Sequence, residues 1–147
     1  QSRVTAFNFW RSTHSLSALN ERALDIVEQV ELLEKRNWLA STLSQGERRY
    51  LEIGIALATE PEVLLLDEPT AGMSVAETAM CAGLIKRLNR ELNLSIVLVE
   101  HDMSVVMGIS EEILVLNEGK VLAEGTPQEV SDNREVQRVY LGEEKYA

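Results

Sequence analysis

The sequence predicts an α/β domain built on a mostly parallel β-sheet with flanking helices. Two short apolar runs, Val63 to Leu66 and Ile96 to Val99, have the length of strands. The segment between them carries Ile85, Leu88 and Leu92 at helical spacing. A strand, a helix and a second strand in this order are typical of a parallel sheet. Because both runs are apolar throughout, we expect helices to cover both faces of that sheet.

Three helix starts, one of them that of the helix between the strands, are marked by a capping box, which is a Ser or Thr followed three positions later by Glu. The boxes begin at Ser44, Ser74 and Thr126. The first helix is expected to continue to about Ala58 and the second to about Leu92.

An amphipathic helix is predicted between Asn20 and Lys35. Leu24, Val27 and Val30 share one stripe at helical spacing, and Asn20 has a side chain typical of an N-cap.

The last third of the chain is predicted to contain an antiparallel hairpin. Its strands run from Ile113 to Leu116 and from Val121 to Glu124, on either side of a turn. A short helix from Met103 to Gly108 is expected before the hairpin. A final helix from Arg134 to Leu141 is expected after it, with Gly142 as its stop.

Charge and hydropathy exclude several classes of function. The chain has 147 residues and a formal net charge of −10, which argues against nucleic acid as a partner. Its short basic groups, such as Lys35-Arg36, lie among acidic residues and are expected on solvated helix faces. No apolar run approaches the roughly 18 residues of a membrane-spanning helix, and the first residues lack a signal-peptide pattern.

Cysteine usage indicates a reducing compartment. Cys81 is the single cysteine of the sequence, so an internal disulfide is excluded. Its position inside a helical pattern favours a packing role over a nucleophilic one.

Two adjacent carboxylates follow the first strand. Asp67 and Glu68 come directly after Leu66, and Pro69 prevents a regular continuation. His101 follows the second strand. Ligands of open parallel sheets bind beyond the carboxyl ends of the strands. There, Asp67 can hold Mg²⁺ beside phosphates, Glu68 can orient or deprotonate a water, and His101 can contact a phosphoryl oxygen.

Each of these features also has a simpler interpretation. An Asp-Glu-Pro turn can be a solvated loop, and a His at a strand end is more often structural than functional. The segment Ser44 to Glu47 can be a helix cap alone. The combination of features favours a site for metal-assisted phosphate hydrolysis.

The same combination resembles the ATP-binding cassette (ABC) ATPases. Leu43-Ser44-Gln45-Gly46-Glu47 is similar to the signature motif of that family, and it precedes a Walker B strand, Val63 to Asp67. Ala71-Gly72-Met73-Ser74 takes the place of the D-loop, and His101 that of the switch histidine. Residues 43 to 101 hold these elements in the order and spacing of the family. The resemblance implies a helical subdomain with the signature motif over residues 1–58 and the C-terminal part of the ATPase core over residues 59–147.

Other segments resemble the ATPase subunits of branched-chain amino acid and urea importers. These segments are Leu51 to Gly54, Val99 to Met103, Glu124 to Pro127 and Val139 to Gly142. The segment Arg138 to Glu143 also resembles lipopolysaccharide-type exporter ATPases, which leaves an exporter as an alternative.

The family resemblance implies a subunit that pairs head to tail with a second ATPase subunit around two ATP molecules. It implies that Glu68 polarises the attacking water, that Asp67 supports Mg²⁺ through a water, and that His101 senses the γ-phosphate. The residues implied to bind ATP across the dimer are Ser44, Gln45, Gly46 and Glu47 of the signature, with Ala71, Gly72, Met73 and Ser74 of the D-loop.

The resemblance also implies where the subunit acts. Membrane permease subunits are the implied direct partners, and a periplasmic solute-binding protein is an indirect one. The subunit is expected at the cytoplasmic face of the inner membrane, with residues 1–58 towards the permease. The expected function is ATP hydrolysis that powers import of branched-chain amino acids, urea or similar small solutes.

The sequence departs from the family pattern in several places. The phosphate-binding loop GxxxxGK[ST] (Walker A) is absent, and the pair Gly119-Lys120 does not fit it. The first residue is Gln rather than Met, so we expect a truncated subunit that binds ATP poorly alone. An interaction domain that never had the loop is the alternative. Gln45 and Glu47 replace the commoner Gly and Gln, and Ser74 stands where many members have Asp.

Overall fold

The computed structural model describes residues 13 to 141. The chain divides into two compact units, one that ends at Leu64 and one that begins at Leu65. The boundary falls within a strand. None of the helices in the described range is both long and apolar enough to cross a bilayer.

The first unit contains two α-helices, α1 (Thr13–Gln29) and α2 (Gln45–Leu57), and short 3₁₀ turns at Leu33–Lys35 and Ala40–Thr42. The predicted bounds of α2 are confirmed. The prediction for α1 is wrong at both ends, because the helix starts before Asn20 and stops before Lys35.

The end of α1 is set by a backbone motif rather than by a Gly or Pro. Glu31 has a φ of +61°, in the left-handed region that a Schellman motif requires at the residue after the helix. The amide of Leu32 donates to the carbonyl of Val27 at 2.8 Å, and that of Glu31 donates to Glu28 at 2.9 Å. Leu32 is buried, so its packing stabilises this stop.

Helices α1 and α2 approach closely at Gly54. A Cβ at this position would lie 3.2 Å from Cγ2 of Val30 and 3.4 Å from Cγ2 of Ile26. Val30 and Ile53 are each 1% exposed, and the buried apolar residues of this unit also include Leu43, Tyr50 and Leu57. The absence of a side chain at Gly54 therefore lets the two helices share a tightly packed core.

Strand β1 (Val63–Asp67) pairs with β2 (Ser95–Val99), and α3 (Val75–Leu92) connects them. A strand pair joined by a helix in this way is parallel, as the sequence predicts. Helix α3 buries Cys81, Leu84, Ile85 and Leu88, so the packing role expected for Cys81 agrees with its burial. Asn93, at a φ of +50°, ends this helix.

The expectation that both faces of this sheet are covered is wrong for the described residues. Leu64 is 4% exposed, but Leu65 on the opposite face is 73% exposed. Val97 and Val99 are 51% and 58% exposed. Successive side chains of a strand point to opposite faces, and residues 13 to 141 provide cover for only one of them.

The predicted hairpin is confirmed. After α4 (Met103–Ile109), strands β3 (Ile113–Asn117) and β4 (Lys120–Gly125) pair antiparallel, with an irregularity between Val115 and Leu116. Helices α5 (Pro127–Asp132) and α6 (Arg134–Val136) follow. A core cluster joins the hairpin to these helices through Ile113, Val115, Val130 and Val136.

The expected final helix is shorter than predicted. After α6, a π-helical turn covers Gln137–Leu141 in place of a continued α-helix. The hydroxyl of Tyr140 in this turn donates to the carbonyl of Leu116 at 2.6 Å, which anchors it to β3. The predicted stop at Gly142 lies outside the described residues.

Candidate functional site

Glu68 and His101 come together at the carboxyl ends of β1 and β2. Nδ1 of His101 lies 3.4 Å from Oε1 of Glu68. The two side chains are 73% and 52% exposed, respectively, so both are open to a ligand from solvent. The backbone supports this proximity, because the amide of Glu68 donates to the carbonyl of Val99 at 2.8 Å.

Glu68 occupies an unusual backbone conformation. Its φ is +43°, in the left-handed region that residues with a Cβ rarely adopt. Pro69 follows it with its side chain fully buried, and Thr70 is 7% exposed. A strained residue held by buried neighbours has a fixed side-chain direction, and such strain is frequent at functional sites.

Glu100 ties the turn after β1 to the end of β2. Its Oε1 accepts hydrogen bonds from the amide of Thr70 at 3.0 Å and from the hydroxyl of Thr70 at 2.5 Å. Its Oε2 accepts from the amide of His101 at 3.3 Å. This role of Glu100 was not predicted from the sequence. The available signal was an acid between the end of an apolar strand and His101.

Asp67 is the last residue of β1 and is exposed. The described residues contain no group of three or more His, Cys, Asp or Glu side chains that could hold a metal ion. Mg²⁺ beside a nucleotide needs only one or two carboxylates, because phosphates and waters supply its other ligands. One exposed Asp next to Glu68 fits that mode of binding.

The D-loop segment is a turn between β1 and α3. Its amides are bonded within the turn: Ala71 donates to the carbonyl of Glu68 and Met73 to that of Thr70, each at 3.1 Å. Gly72 has a φ of +74°, a backbone conformation that would be strained for a residue with a Cβ. Ser74 caps α3, since its side chain accepts from the amide of Glu77.

The signature segment forms the start of α2, as predicted. Ser44 is the N-cap, and a complete capping box links it to Glu47. Ser44 and Gln45 are exposed, whereas Gly46 is buried within the unit. The accessible part of this helix start is therefore Ser44 and Gln45.

Glu47 is held by a cation as well as by the capping box. Its Oε1 forms an ion pair with the ammonium of Lys35, and its Oε2 accepts from the amide of Ser44 at 2.9 Å. The pKa of Glu47 is held below its ordinary value. The Lys35 ammonium is the largest cause, and the hydrogen bond from the Ser44 amide is the second. Lys35 also lies 4.9 Å from the ring centroid of Trp38. The expectation that Lys35 sits on a merely solvated face is wrong.

Asp102 completes the polar end of β2. It caps α4, and its Oδ1 accepts from the hydroxyl and the amide of Ser104 at 2.6 Å and 2.9 Å. These hydrogen bonds hold the pKa of Asp102 below its ordinary value. It therefore stays ionised beside His101 under ordinary conditions.

The two sets of residues offer different chemistry. The carboxyl ends of β1 and β2 form an exposed rim. A carboxylate and an imidazole that lie 3.4 Å apart at this rim can orient and deprotonate a water. Helix α2 has 13 residues, and its exposed start favours an anion because the positive end of the helix dipole lies there.

Two family models match the chain. The model described as "ABC transporter" matches residues 1–71. The model described as "Branched-chain amino acid ATP-binding cassette transporter" matches residues 120–146. The first match includes the signature and Walker B segments, and the second includes β4 and the helices that follow it.

Relatives of known role share much of the sequence. The "High-affinity branched-chain amino acid transport ATP-binding protein LivG" of Salmonella typhimurium is 48% identical over 123 residues, which cover 84% of this chain and 48% of LivG. The "Lipopolysaccharide export system ATP-binding protein LptB" of Haemophilus influenzae is 36% identical over 124 residues, or 84% of this chain and 51% of LptB.

The fold is also shared with a solved structure. The ADP conformation of MJ1267, an ATP-binding cassette of an ABC transporter, matches with a TM-score of 0.77 at 27% identity. The match covers 86% of this chain and 51% of that one. The chain therefore belongs to the ABC transporter ATPases, as the motifs indicate. It spans about half the length of the curated relatives that it matches.

Proposed function

We propose that the subunit carrying this chain binds and hydrolyses ATP to power the import of branched-chain amino acids. The observation that carries the proposal is the 3.4 Å approach of His101 to Glu68 at the end of a Walker B strand. Glu68 is the carboxylate that orients the attacking water and accepts its proton. His101 contacts the γ-phosphate and, through Glu68, keeps the water in line with it.

The helix start at Ser44 supplies the second half of each site. In a head-to-tail dimer, Ser44 and Gln45 face the γ-phosphate that a second ATPase subunit holds. The dipole of α2 stabilises that anion. The D-loop from Ala71 to Ser74 contributes to the same dimer interface, with its turn fixed by Gly72. Dimer formation therefore completes a site that one subunit holds only in part.

Asp67 is the proposed support for Mg²⁺, through a coordinated water. When bound, Mg²⁺ neutralises charge on the β- and γ-phosphates. Asp67 lies next to Glu68 in the chain, so the acid proposed to support the metal adjoins the acid proposed to orient the water.

The partners and location follow from the transport role. Membrane permease subunits are the proposed direct partners at the cytoplasmic face of the membrane, and a solute-binding protein acts with them. An importer is favoured over an exporter because the branched-chain amino acid model matches residues 120–146. Identity to LivG is 48%, against 36% to LptB. Urea remains a second solute to test in the same transport assay.

The test is Glu68→Gln in the intact subunit, measured by ATP binding and by ATP turnover separately. Gln keeps the size of the side chain but cannot accept a proton. We expect ATP binding within about twofold of wild type and turnover reduced by about 100-fold or more. Undiminished turnover would exclude Glu68 as the catalytic carboxylate.

Glu62→Gln is the matched control. Glu62 is an exposed acid just before β1, at the opposite end of the strand from Glu68. Its substitution removes the same charge without touching the rim, so turnover should be unchanged. Uptake of labelled leucine and urea by cells with the matching permease would then identify the solute.

A further inference from the structure

Glu47 creates an electrostatic problem for the proposed site. Its carboxylate lies at the start of α2, within one helical turn of Ser44. The γ-phosphate of ATP would approach the same helix start. Two anions near one helix terminus repel each other, which weakens the attraction that the dipole provides. A Gln, which the commonest signature has at this position, carries no such charge.

Lys35 is placed to cancel this charge. Its ammonium pairs with Oε1 of Glu47, while Oε2 stays on the amide of Ser44. The two side chains are 32% and 24% exposed, so solvent screens the pair only in part. Trp38 lies beneath the ammonium at 4.9 Å and favours its position by a cation–π contact.

We propose that Lys35 is a positioning residue for nucleotide binding, which neutralises Glu47 so that the start of α2 accepts the γ-phosphate of a partner's ATP. This inference rests on the proposed function. Lys35 acts through Glu47, and it need not touch the nucleotide. The carboxylate keeps its role in the capping box, because the ion pair and the cap use different oxygen atoms.

The proposal predicts a particular pattern in paired substitutions. Lys35→Met removes the ammonium but keeps a long apolar stem, so Glu47 becomes an uncompensated anion. Glu47→Gln removes that anion and retains a carbonyl oxygen for the amide of Ser44. The loss caused by Lys35→Met should therefore be restored by adding Glu47→Gln. A purely structural ion pair would give no such restoration, because the double variant also lacks the pair.

The experiment measures ATP-driven dimerisation of the intact subunit by analytical ultracentrifugation. All variants carry Glu68→Gln, which slows hydrolysis. We expect Lys35→Met to weaken dimerisation about tenfold, equivalent to about 1.4 kcal/mol. Lys35→Arg keeps the charge and should stay near the parent. The double variant Lys35→Met with Glu47→Gln should return to within about threefold of the parent.

Two controls separate charge compensation from folding. ATP affinity of the monomer should change little in Lys35→Met. The double variant also lacks the ion pair, so a loss of thermal stability in Lys35→Met should persist in the double variant while dimerisation is restored. Arg87→Met breaks an ion pair with Glu91 on α3, where N and O lie 3.6 Å apart, and should leave dimerisation unchanged.

The outcomes distinguish the two proposals. A Glu68→Gln parent that does not dimerise with ATP would overturn the proposed function and this inference with it. A parent that dimerises, with Lys35→Met equal to it, would overturn the inference alone. A double variant as weak as Lys35→Met would do the same, since Lys35 would then act only as a structural contact.

Discussion

Glu100 accepts two hydrogen bonds from Thr70, one from its amide at 3.0 Å and one from its hydroxyl at 2.5 Å. The pair connects the turn that carries Glu68 with the segment that carries His101. Thr70 is 7% exposed, so water competes poorly for these bonds. The geometry at the carboxyl ends of β1 and β2 therefore depends on one carboxylate, which bonds the segment after β2 to the turn after β1.

Thr70→Val should destabilise the protein by about 1–3 kcal/mol. Val has nearly the same shape but cannot donate to Glu100, and a charged acceptor deprived of a buried donor loses more than a neutral one. Chemical denaturation measures the change. Thr59→Val is the control, because Thr59 is exposed and its hydroxyl donates only to a local carbonyl, that of Ala56. Equal effects of the two substitutions would contradict the special role of Thr70.

Ser74→Ala should lower stability by about 1 kcal/mol. The hydroxyl of Ser74 accepts from the amide of Glu77 at 3.3 Å and donates to its carboxylate at 2.7 Å. Removing an N-cap oxygen leaves an amide of the first turn of α3 without its partner. Ser74→Thr retains the hydroxyl and should stay within a few tenths of a kcal/mol of wild type. Thermal unfolding of the two variants side by side tests the difference.

Gly54→Ala should destabilise the first unit, although Ala favours helices. Its Cβ would lie 3.2 Å from Cγ2 of Val30, a buried side chain with little freedom to move. Overpacking of this kind costs about 1–3 kcal/mol, which exceeds the gain of about 1 kcal/mol in helix propensity.

Gly83→Ala is the matched control for Gly54→Ala. A Cβ at Gly83, in the middle of α3, meets no atom of residues 13 to 141 within 4 Å beyond the backbone of its own helix. Helix propensity is then the dominant effect, so stability should rise by about 1 kcal/mol. Opposite signs for the two substitutions in hydrogen–deuterium exchange or denaturation would support the close approach at Gly54. The same sign for both would contradict it.

Glu47 should make stability depend on pH in the acid range. Its pKa is lowered in the folded protein, chiefly by Lys35. A carboxylate with a lowered pKa stabilises the fold above its unfolded pKa, and this contribution disappears as pH falls through the folded pKa. The stability advantage of wild type over Glu47→Gln should thus be full above the ordinary glutamate value of 4.5 and shrink below it.

Denaturant unfolding at about pH 3 to 7 would measure this advantage. In a Lys35→Met background the pH-dependent part should be smaller, because the main cause of the lowered pKa is removed. An advantage of Glu47 that stays constant over the whole range would show that the ion pair does not stabilise the fold.

Local chemistry explains which elements were predicted well. The capping boxes at Ser44, Ser74 and Thr126 each predict a helix start, and each of these residues is the N-cap of a helix in the structure. A capping box satisfies backbone amides within one turn, so it needs no distant contact. The signature segment is part of such a box, and for that reason its position was predictable.

The errors have a different origin. The end of α1 depends on Glu31 in a left-handed conformation. A sequence indicates that conformation when the residue is Gly or Asn, but not when it is Glu. The exposed face of the sheet at Leu65 and Val99 could not be inferred either. Apolar residues in a strand predict that something covers them, but they do not say which residues do so.

The sequence by itself determined the family, the order of its motifs and the helix starts at the three capping boxes, because these depend on residue identity and spacing along the chain. The tertiary structure decided which polar side chains meet: Glu100 with Thr70, Lys35 with Glu47, and His101 with Glu68. Such contacts join residues that are distant in sequence, and their formation depends on how the backbone turns bring them together. Electrostatic attraction depends on the distance between groups in space and not on their separation along the chain. Only the folded backbone therefore selects the partner.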